Sequence, residues 1–263
     1  MGRPGAMTGT GWGEIGNRLD QLAELCGEVR FWLRDDDATE PSAALDRLLG
    51  IAAETATPLA LAVVPAVATA GLADRLAGES HITVLQHGIS HANHAPPGEK
   101  KAELGDHRPV DAVLADLAHG RDRLHAFSRV APILAPPWNR IGVEVAKGLA
   151  GLGYRGLSLF TGRKPNPVAP GVLAVDTHLD PVDWAAGSFK GEREMLRLLA
   201  ERLDTLIDGR ADPRRATGIL THHLVHDGET FTFLSGLLRY LAKRKDCRFL
   251  SADDLLAKHQ SDL

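Results

Sequence analysis

Short apolar runs alternate with longer amphipathic stretches along almost all of the 263 residues. Strands that alternate with helices predict right-handed βαβ units and a parallel sheet. Seven or eight such units favour an α/β fold of the distorted (β/α)7-8 barrel type. An open doubly wound sheet is the alternative, and a Gly-rich phosphate loop after the first strand would support it, but three acids stand there. The predicted strands are 29–34, 59–64, 82–86, 131–135, 155–159, 172–176, 217–221 and 247–250, and the predicted helices are 14–26, 42–55, 68–77, 110–127, 142–151, 191–208, 230–244 and 252–259.

Composition excludes some classes of partner. The formal net charge is −4, and no dense run of Lys and Arg is present, so we expect no binding to nucleic acid. The longest apolar stretch, 58–72, is broken by Pro65 and falls short of the roughly 20 residues that a membrane span needs. We therefore expect no membrane span.

We predict one catalytic domain over residues 14–263, preceded by a flexible segment over residues 1–13. That segment is rich in Gly and Thr and lacks the apolar core of a secretory signal. Cys26 and Cys247 are two isolated cysteines in a long chain, which is typical of reduced thiols. A cytoplasmic location is expected, and the oligomeric state is left open.

Polar clusters follow several of the predicted strands. Three carboxylates, 35–37, follow the first strand; histidines in 87–94 follow the third; and further clusters follow at 136–140, 176–178 and 222–227. In an α/β barrel the carboxyl ends of the strands build the active site. The shared position of these clusters therefore predicts an enzyme whose site lies at that edge.

Two of these clusters together predict a metal site. Asp36 and Asp37 offer carboxylates, and His87 and His91 offer two imidazoles in an HxxxH spacing. One carboxylate and two imidazoles make a hydrolytic metal site that keeps open positions for water and substrate. The alternatives are a solvated helix cap for the acids and loop positions for the histidines. We predict one divalent ion, with zinc favoured and cobalt, nickel or iron possible.

The chain resembles the polysaccharide deacetylase superfamily, carbohydrate esterase family four, in a divergent, chitooligosaccharide deacetylase-like form. The resemblance spans about residues 30 to 250. It rests on the run from Arg34 to Ala38, on His87 with His91, and on Leu220-Thr221-His222. The resemblance implies Asp36 as general base, Asp37, His87 and His91 as metal ligands, and His222 as general acid. A register with Asp35 as base and Asp36 as ligand is the alternative.

Other motifs depart from the family or match it weakly. The family has an Arg before its Pro-Pro pair, whereas Ala135 precedes Pro136 here, so that either Arg34 or Arg140 would have to replace it. The site prediction adds four substrate-binding residues, for which core packing or a turn are the alternatives. They are Trp138, Arg140, Asp183 and Trp184.

The resemblance implies a metal-dependent hydrolase that removes N-acetyl or O-acetyl groups from a carbohydrate. The alternatives are an amidase or esterase for a small non-sugar substrate and a non-catalytic carbohydrate-binding relative, which the missing Arg would favour. Because strand side chains alternate, His222 and His223 cannot both face the site if the strand continues through Thr221. We predict a functional His222 and a structural His223.

Overall fold

A computed structural model describes residues 10–161, 166–167 and 169–257. Within these residues the chain forms ten strands and eight α-helices, with four short 3-10 turns between them. The strands are β1 Val29–Ala38, β2 Leu59–Val63, β3 Ile82–Gln86, β4 Val130–Leu134, β5 Gly156–Leu157, β6 Leu173–Ala174, β7 Val182–Asp183, β8 Ser188–Phe189, β9 Thr217–Thr221 and β10 Cys247–Phe249. The helices are α1 Trp12–Cys26, α2 Ala43–Glu54, α3 Ala70–Leu76, α4 Val110–Arg123, α5 Val143–Gly148, α6 Glu192–Ile207, α7 Gly228–Ala242 and α8 Ala252–Ala257.

Eight of the strands form one parallel sheet in the order β10-β1-β2-β3-β4-β5-β6, with β9 paired to β1. The sheet curls because the chain after β6 returns to β9: the amides of His178 and Leu179 both donate to the carbonyl of Gly218. The distorted α/β barrel predicted from the sequence is thus confirmed. The small antiparallel hairpin of β7 and β8 was not predicted.

Side-chain size separates the two faces of the sheet. In β2, Leu59, Leu61 and Val63 point outward into the main core under the helices, and the smaller Ala60 and Ala62 point into the barrel. Alternation along a strand produces this division. Small residues in the barrel leave room for a large inward side chain of β1, Trp32, while α8 packs against the same inner core.

The first strand is longer than predicted. It ends at Ala38 and not at Arg34, so the three carboxylates lie inside β1 and do not follow it. Pairing with β2 and β9 extends the strand, since Asp35 still pairs with Leu61 and with Thr221. The acids therefore project from a fixed backbone at the rim of the barrel.

Several other boundaries also differ. The strands predicted over 155–159 and 172–176 shorten to two residues each, and the pairing beyond them is reduced to the single bridge between Phe160 and Thr177. The helix predicted over 110–127 ends at Arg123, where a 3-10 turn begins, and the helix predicted over 142–151 ends at Gly148. In the described residues none of the helices is long and apolar enough to cross a bilayer. Residues 1–9, most of the predicted flexible segment, lie outside the described residues.

His178 closes the barrel through its side chain as well as its backbone. Its Nδ1 accepts a hydrogen bond from the amide of Gly218 at 3.0 Å. Burial, together with the charges of Arg202 and Arg215, lowers the pKa of His178 to about 3. The neutral imidazole is therefore the form that the fold requires.

This leads to a prediction about acid stability. The unfolded-state pKa of His178, about 6.5, exceeds its folded-state pKa. The contribution of its neutral form to the unfolding free energy is therefore complete above about pH 6.5 and is lost as the pH falls towards 3. Between pH 7 and pH 5 the wild type should lose about 2 kcal/mol of unfolding free energy more than His178→Asn, which cannot titrate. Urea unfolding of both proteins at the two pH values measures this difference. Parallel losses in the two proteins would contradict it.

Candidate metal centre and active site

A β-bulge in β1 sets the directions in which the side chains of Asp36 and Asp37 point. Asp35 and Ala38 of β1 pair with Leu61 and Val63 of β2. Two residues lie between the paired positions in β1, whereas only Ala62 lies between them in β2. An extra residue bends the strand and redirects a side chain. The backbone φ of Asp37 is 70°, in the left-handed region. Asp37 consequently leaves the outward direction that simple alternation would give it and faces the loop after β3.

That loop carries the two histidines. The amide of His87 continues the pairing of β3 by donating to the carbonyl of Val63, and its side chain is buried. His91 lies four residues later and is partly exposed. The Nε2 atoms of His87 and His91 lie 3.0 Å and 3.2 Å from Oδ1 of Asp37. The structure therefore brings together all three residues that were predicted as metal ligands.

The three groups fit a divalent cation. Their ligand atoms lie within 4.8 Å of one another. Tetrahedral ligands at the usual zinc distances are separated by about 3.4 Å, close to the two distances observed here. Burial disfavours the carboxylate form of Asp37, but the nearby imidazoles of His87 and His91 outweigh it and hold its pKa well below the usual range. An ionised Asp37 beside two imidazole nitrogens is a suitable donor set.

The backbone is strained around this centre. Among the described residues, five residues other than glycine have a positive φ, and four of them surround the site: Asp37, His91, Trp138 and Asn139. Such conformations cost of order 1–3 kcal/mol each and tend to occur at functional sites. Strain gathered at one rim of the barrel supports a functional role for that rim.

Asp36 points into the barrel and meets a buried arginine. Its Oδ2 accepts a hydrogen bond from Arg34 at 2.9 Å, and both side chains are almost fully buried. The same guanidinium donates to Oδ1 of Asn139 and to the hydroxyl and carbonyl oxygens of Ser158. Oδ1 of Asp36 is buried and has no hydrogen-bond partner among the described residues. One carboxylate oxygen is therefore fixed and the other is free.

Of the two arginines considered as replacements, only Arg34 contacts Asp36. Arg140 instead donates to the carbonyl of Lys101, 2.7 Å away, in an exposed hydrogen bond. Ala135 packs in the inner barrel core. The sequence placed Asn139 in the cluster 136–140 at the active-site edge, but it gave no signal for the bonds of Arg34 to Asn139 and Ser158, which lie more than 100 residues away along the chain.

His222 lies next to Asp36. Its Nε2 is 3.9 Å from Oδ2 of Asp36, and its ring meets the edge of Trp184 at a centroid distance of 4.7 Å. The backbone amide of His222 donates to Nε2 of His226. Burial lowers the pKa of His226, which keeps that nitrogen available as an acceptor. His226 thus helps to fix the backbone of His222.

Asp35 and His223 form a separate buried pair. Asp35 accepts hydrogen bonds from the backbone amide of His223 and from the hydroxyl of Thr221, and it also bonds Nδ1 of the His223 ring. Burial opposes both charges, but each charge stabilises the other, so that the pKa of Asp35 is lowered and that of His223 is raised. With both oxygens engaged, Asp35 is the acid of the three that is turned away from Asp37.

Trp184, one of the predicted substrate-binding residues, lies beside His222. Trp184 is 58% exposed, and its indole N–H donates to Asp180 at 2.8 Å. Asp183, predicted to bind substrate, accepts from the amides of Ala185 and Ala186 and so closes the turn of the β7–β8 hairpin. Asp180, which is buried, is the acid that orients the indole of Trp184.

Trp138 lies on the opposite flank of the site. Its ring packs against that of His91 with a centroid distance of 4.3 Å. Trp138 is only partly buried and does not fill the barrel core. The partly buried Trp138 lies beside a predicted ligand, His91, and the exposed Trp184 lies beside the predicted acid, His222.

Comparison with known proteins gives the fold a context. No protein-family model and no curated protein matches the sequence. A candidate polysaccharide deacetylase from Mycobacterium smegmatis is 14% identical, with a TM-score of 0.65 and with 89% of this chain and 91% of that chain covered. Peptidoglycan deacetylase PdaC from Bacillus subtilis is 15% identical, with a TM-score of 0.55 and coverages of 89% and 93%.

A third solved structure contains a metal. It is a family 4 acetyl xylan esterase from Clostridium thermocellum in complex with a cobalt ion; it is 15% identical, with a TM-score of 0.51 and coverages of 88% and 92%. The chain therefore has the fold of these proteins. The resemblance that the motifs indicated is confirmed at this level, and the low identities agree with a divergent form.

The contact between Arg34 and Asp36 generates a prediction. Arg34→Met should lower the unfolding free energy of the metal-free protein by about 3 kcal/mol, because it leaves a buried carboxylate without its partner. Arg140→Met removes the same charge from a more exposed position and should cost less than about 1 kcal/mol. Chemical denaturation of the three proteins compares them. Equal losses in the two variants would contradict the buried pairing.

Proposed function

We propose that this chain is a metal-dependent hydrolase that removes acetyl groups, N-linked or O-linked, from a carbohydrate. One observation carries the proposal: the Asp37, His87 and His91 triad lies next to a carboxylate with a free oxygen, Asp36, and an imidazole, His222. The three solved structures described above, a candidate polysaccharide deacetylase, a peptidoglycan deacetylase and an acetyl xylan esterase, have the same fold and support this reaction class.

The proposed cofactor is one divalent ion held by Asp37, His87 and His91. Two imidazoles and one carboxylate favour zinc, and cobalt, nickel or iron suit the same donors. When bound, such an ion lowers the pKa of a water molecule and polarises a carbonyl group. Three protein ligands would leave a further coordination position for water or substrate.

Asp36 is the proposed general base. Its free Oδ1 would accept the proton of the attacking water, while Arg34 holds Oδ2 at 2.9 Å. A base must sit within hydrogen-bond reach of the proton that it removes, and a fixed carboxylate next to the triad meets that geometric need. The pairing with Arg34 supports a catalytic role over the non-catalytic alternative, which rested on the missing family arginine.

His222 is the proposed general acid. It would donate a proton to the nitrogen or oxygen that leaves when the bond to the acetyl group breaks. Trp184 and His226 hold its ring and its backbone, respectively. Nε2 of His222 lies 3.9 Å from Oδ2 of Asp36, so the two groups that we propose to transfer protons are neighbours.

The proposed substrate is a sugar that lies between Trp138 and Trp184. Indoles combine a broad apolar face with a polar edge, which suits a ligand with apolar ring faces and hydroxyl groups. Arg140 and Asp183 stay predictions as substrate-binding residues, since their observed bonds are to Lys101 and to a turn. A small non-sugar amide or ester is the second candidate substrate.

A cytoplasmic location is also proposed, from the free Cys26 and Cys247.

The metal and the base can be tested together. Asp37→Asn should lose most zinc binding, whereas Asp36→Asn should keep the zinc and lower turnover by roughly 100-fold or more. Calorimetric zinc titration and acetate release from N-acetylated chitooligosaccharides and O-acetylated xylan measure the two effects. If Asp36→Asn loses zinc while Asp37→Asn retains it, the register is shifted by one residue. A zinc-loaded protein that releases acetate only from small amides would favour the second substrate class.

The two adjacent histidines provide a matched pair for the acid. His222→Ala should lower turnover while zinc content and unfolding free energy change little, because a proton donor acts in the transition state. His223→Ala should lower the unfolding free energy by about 3 kcal/mol, because it leaves Asp35 buried without its partner. Turnover, zinc content and urea unfolding are measured on both. If folded, zinc-loaded His223→Ala is inactive and His222→Ala is active, the roles are exchanged.

A further inference from the structure

A buried carboxylate that the proposed chemistry does not use holds the histidine loop. Glu103 is 1% exposed. Its Oε1 accepts hydrogen bonds from the amide of Ser90 at 2.7 Å, the hydroxyl of Ser90 at 2.8 Å and the amide of Ala92 at 3.4 Å, and its Oε2 accepts from the amide of Ile89 at 3.1 Å. These donors all lie between His87 and His91 or directly after them.

Gly88 makes room for this carboxylate. Its φ is 56°, and a Cβ atom added at that position would overlap Oε2 of Glu103 and press against the ring of Pro137. Any other residue at position 88 would therefore displace either the carboxylate or Pro137. The glycine directly after His87 and the acid at 103 form one packed unit.

Glu103 itself is held in position from both sides. On one side, Oδ1 of Asn93 accepts from the amide of Ala102, and the amide of His94 donates to the carbonyl of Ala102. On the other, Leu104 forms a bridge with Ile141. The carboxylate is therefore fixed relative to the body of the barrel, so the hydrogen bonds that it accepts restrain the loop.

The restraint acts on a strained ligand. His91 has a φ of 58°, a conformation that costs about 1–3 kcal/mol and persists only when its surroundings impose it. Oε1 of Glu103 binds the amides on both sides of His91, those of Ser90 and Ala92. Hydrogen bonds from such supporting residues orient metal ligands, and their loss typically lowers metal affinity by 10- to 100-fold.

We propose that Glu103 is a positioning residue that holds the loop 88–92 so that His91 faces Asp37 before any metal binds. The inference rests on the metal site of the proposed function, but it concerns the metal-free protein as well. A carboxylate suits this role because it only accepts hydrogen bonds, and all four groups around it are donors.

Glu103→Gln tests the proposal, because the amide keeps the size of the side chain but turns one acceptor into a donor that faces backbone N–H groups. We expect zinc affinity to fall roughly 10- to 100-fold. In the metal-free protein we expect the amides of Ile89, Ser90 and Ala92 to exchange hydrogen faster than in the wild type. Calorimetric zinc titration and residue-resolved hydrogen exchange measure the two effects.

Glu99→Gln is the matched control. It makes the same charge change four residues earlier in the same connection, where Glu99 is exposed and lies 3.6 Å from His107. It should leave zinc affinity and exchange unchanged. If Glu103→Gln does not fold, Ser90→Ala removes only the hydroxyl bond to Glu103 and should give a smaller fall in zinc affinity.

The possible failures are distinguishable. Wild-type affinity and wild-type exchange rates in Glu103→Gln would overturn the role of Glu103 and leave the metal site intact. An equal effect of Glu99→Gln would also overturn it, since the cause would then be charge and not position. A wild-type protein that binds no zinc would overturn the proposed metal function. The same result would overturn the role of Glu103 in positioning a metal ligand.

Discussion

The arrangement of the site depends on one extra residue in the first strand. Three consecutive acids in a regular strand would point alternately out, in and out, and they could not place neighbouring carboxylates in one cleft. The bulge between Asp35 and Ala38 changes this outcome. Asp35 stays on the outer side with His223, Asp36 points into the barrel, and Asp37 turns to the histidine loop. Three identical side chains thus acquire three different environments.

Each of these environments neutralises its acid differently. Asp35 has an imidazole, Asp36 has the guanidinium of Arg34, and Asp37 has two imidazoles that a cation could join. Burying a carboxylate without such a partner would cost several kcal/mol. The placement of partners therefore makes a cluster of acids compatible with a folded barrel, and it leaves one oxygen of Asp36 free for chemistry.

The loops that complete the site are stiff. Left-handed backbone at His91, Trp138 and Asn139 is held by specific bonds, including those of Glu103 to the loop after β3 and of Asn139 to Arg34. Strain of this kind persists only where the surroundings over-determine it. The specific bonds at the rim therefore account for the backbone conformations that are strained there.

The sequence by itself determined the alternation of strands and helices, and with it the barrel and the edge at which the polar residues gather. It also indicated the grouping of Asp37, His87 and His91, because the two histidines are closely spaced and all three residues lie at the carboxyl ends of strands in one barrel. Only the tertiary structure decided that Arg34 and not Arg140 meets Asp36, and that Glu103 supports His91. These contacts depend on a bulge and on loops that are far apart in the chain. A pattern of residue types records which faces are buried, but it does not record how a strand is bent or which distant loop lies across it.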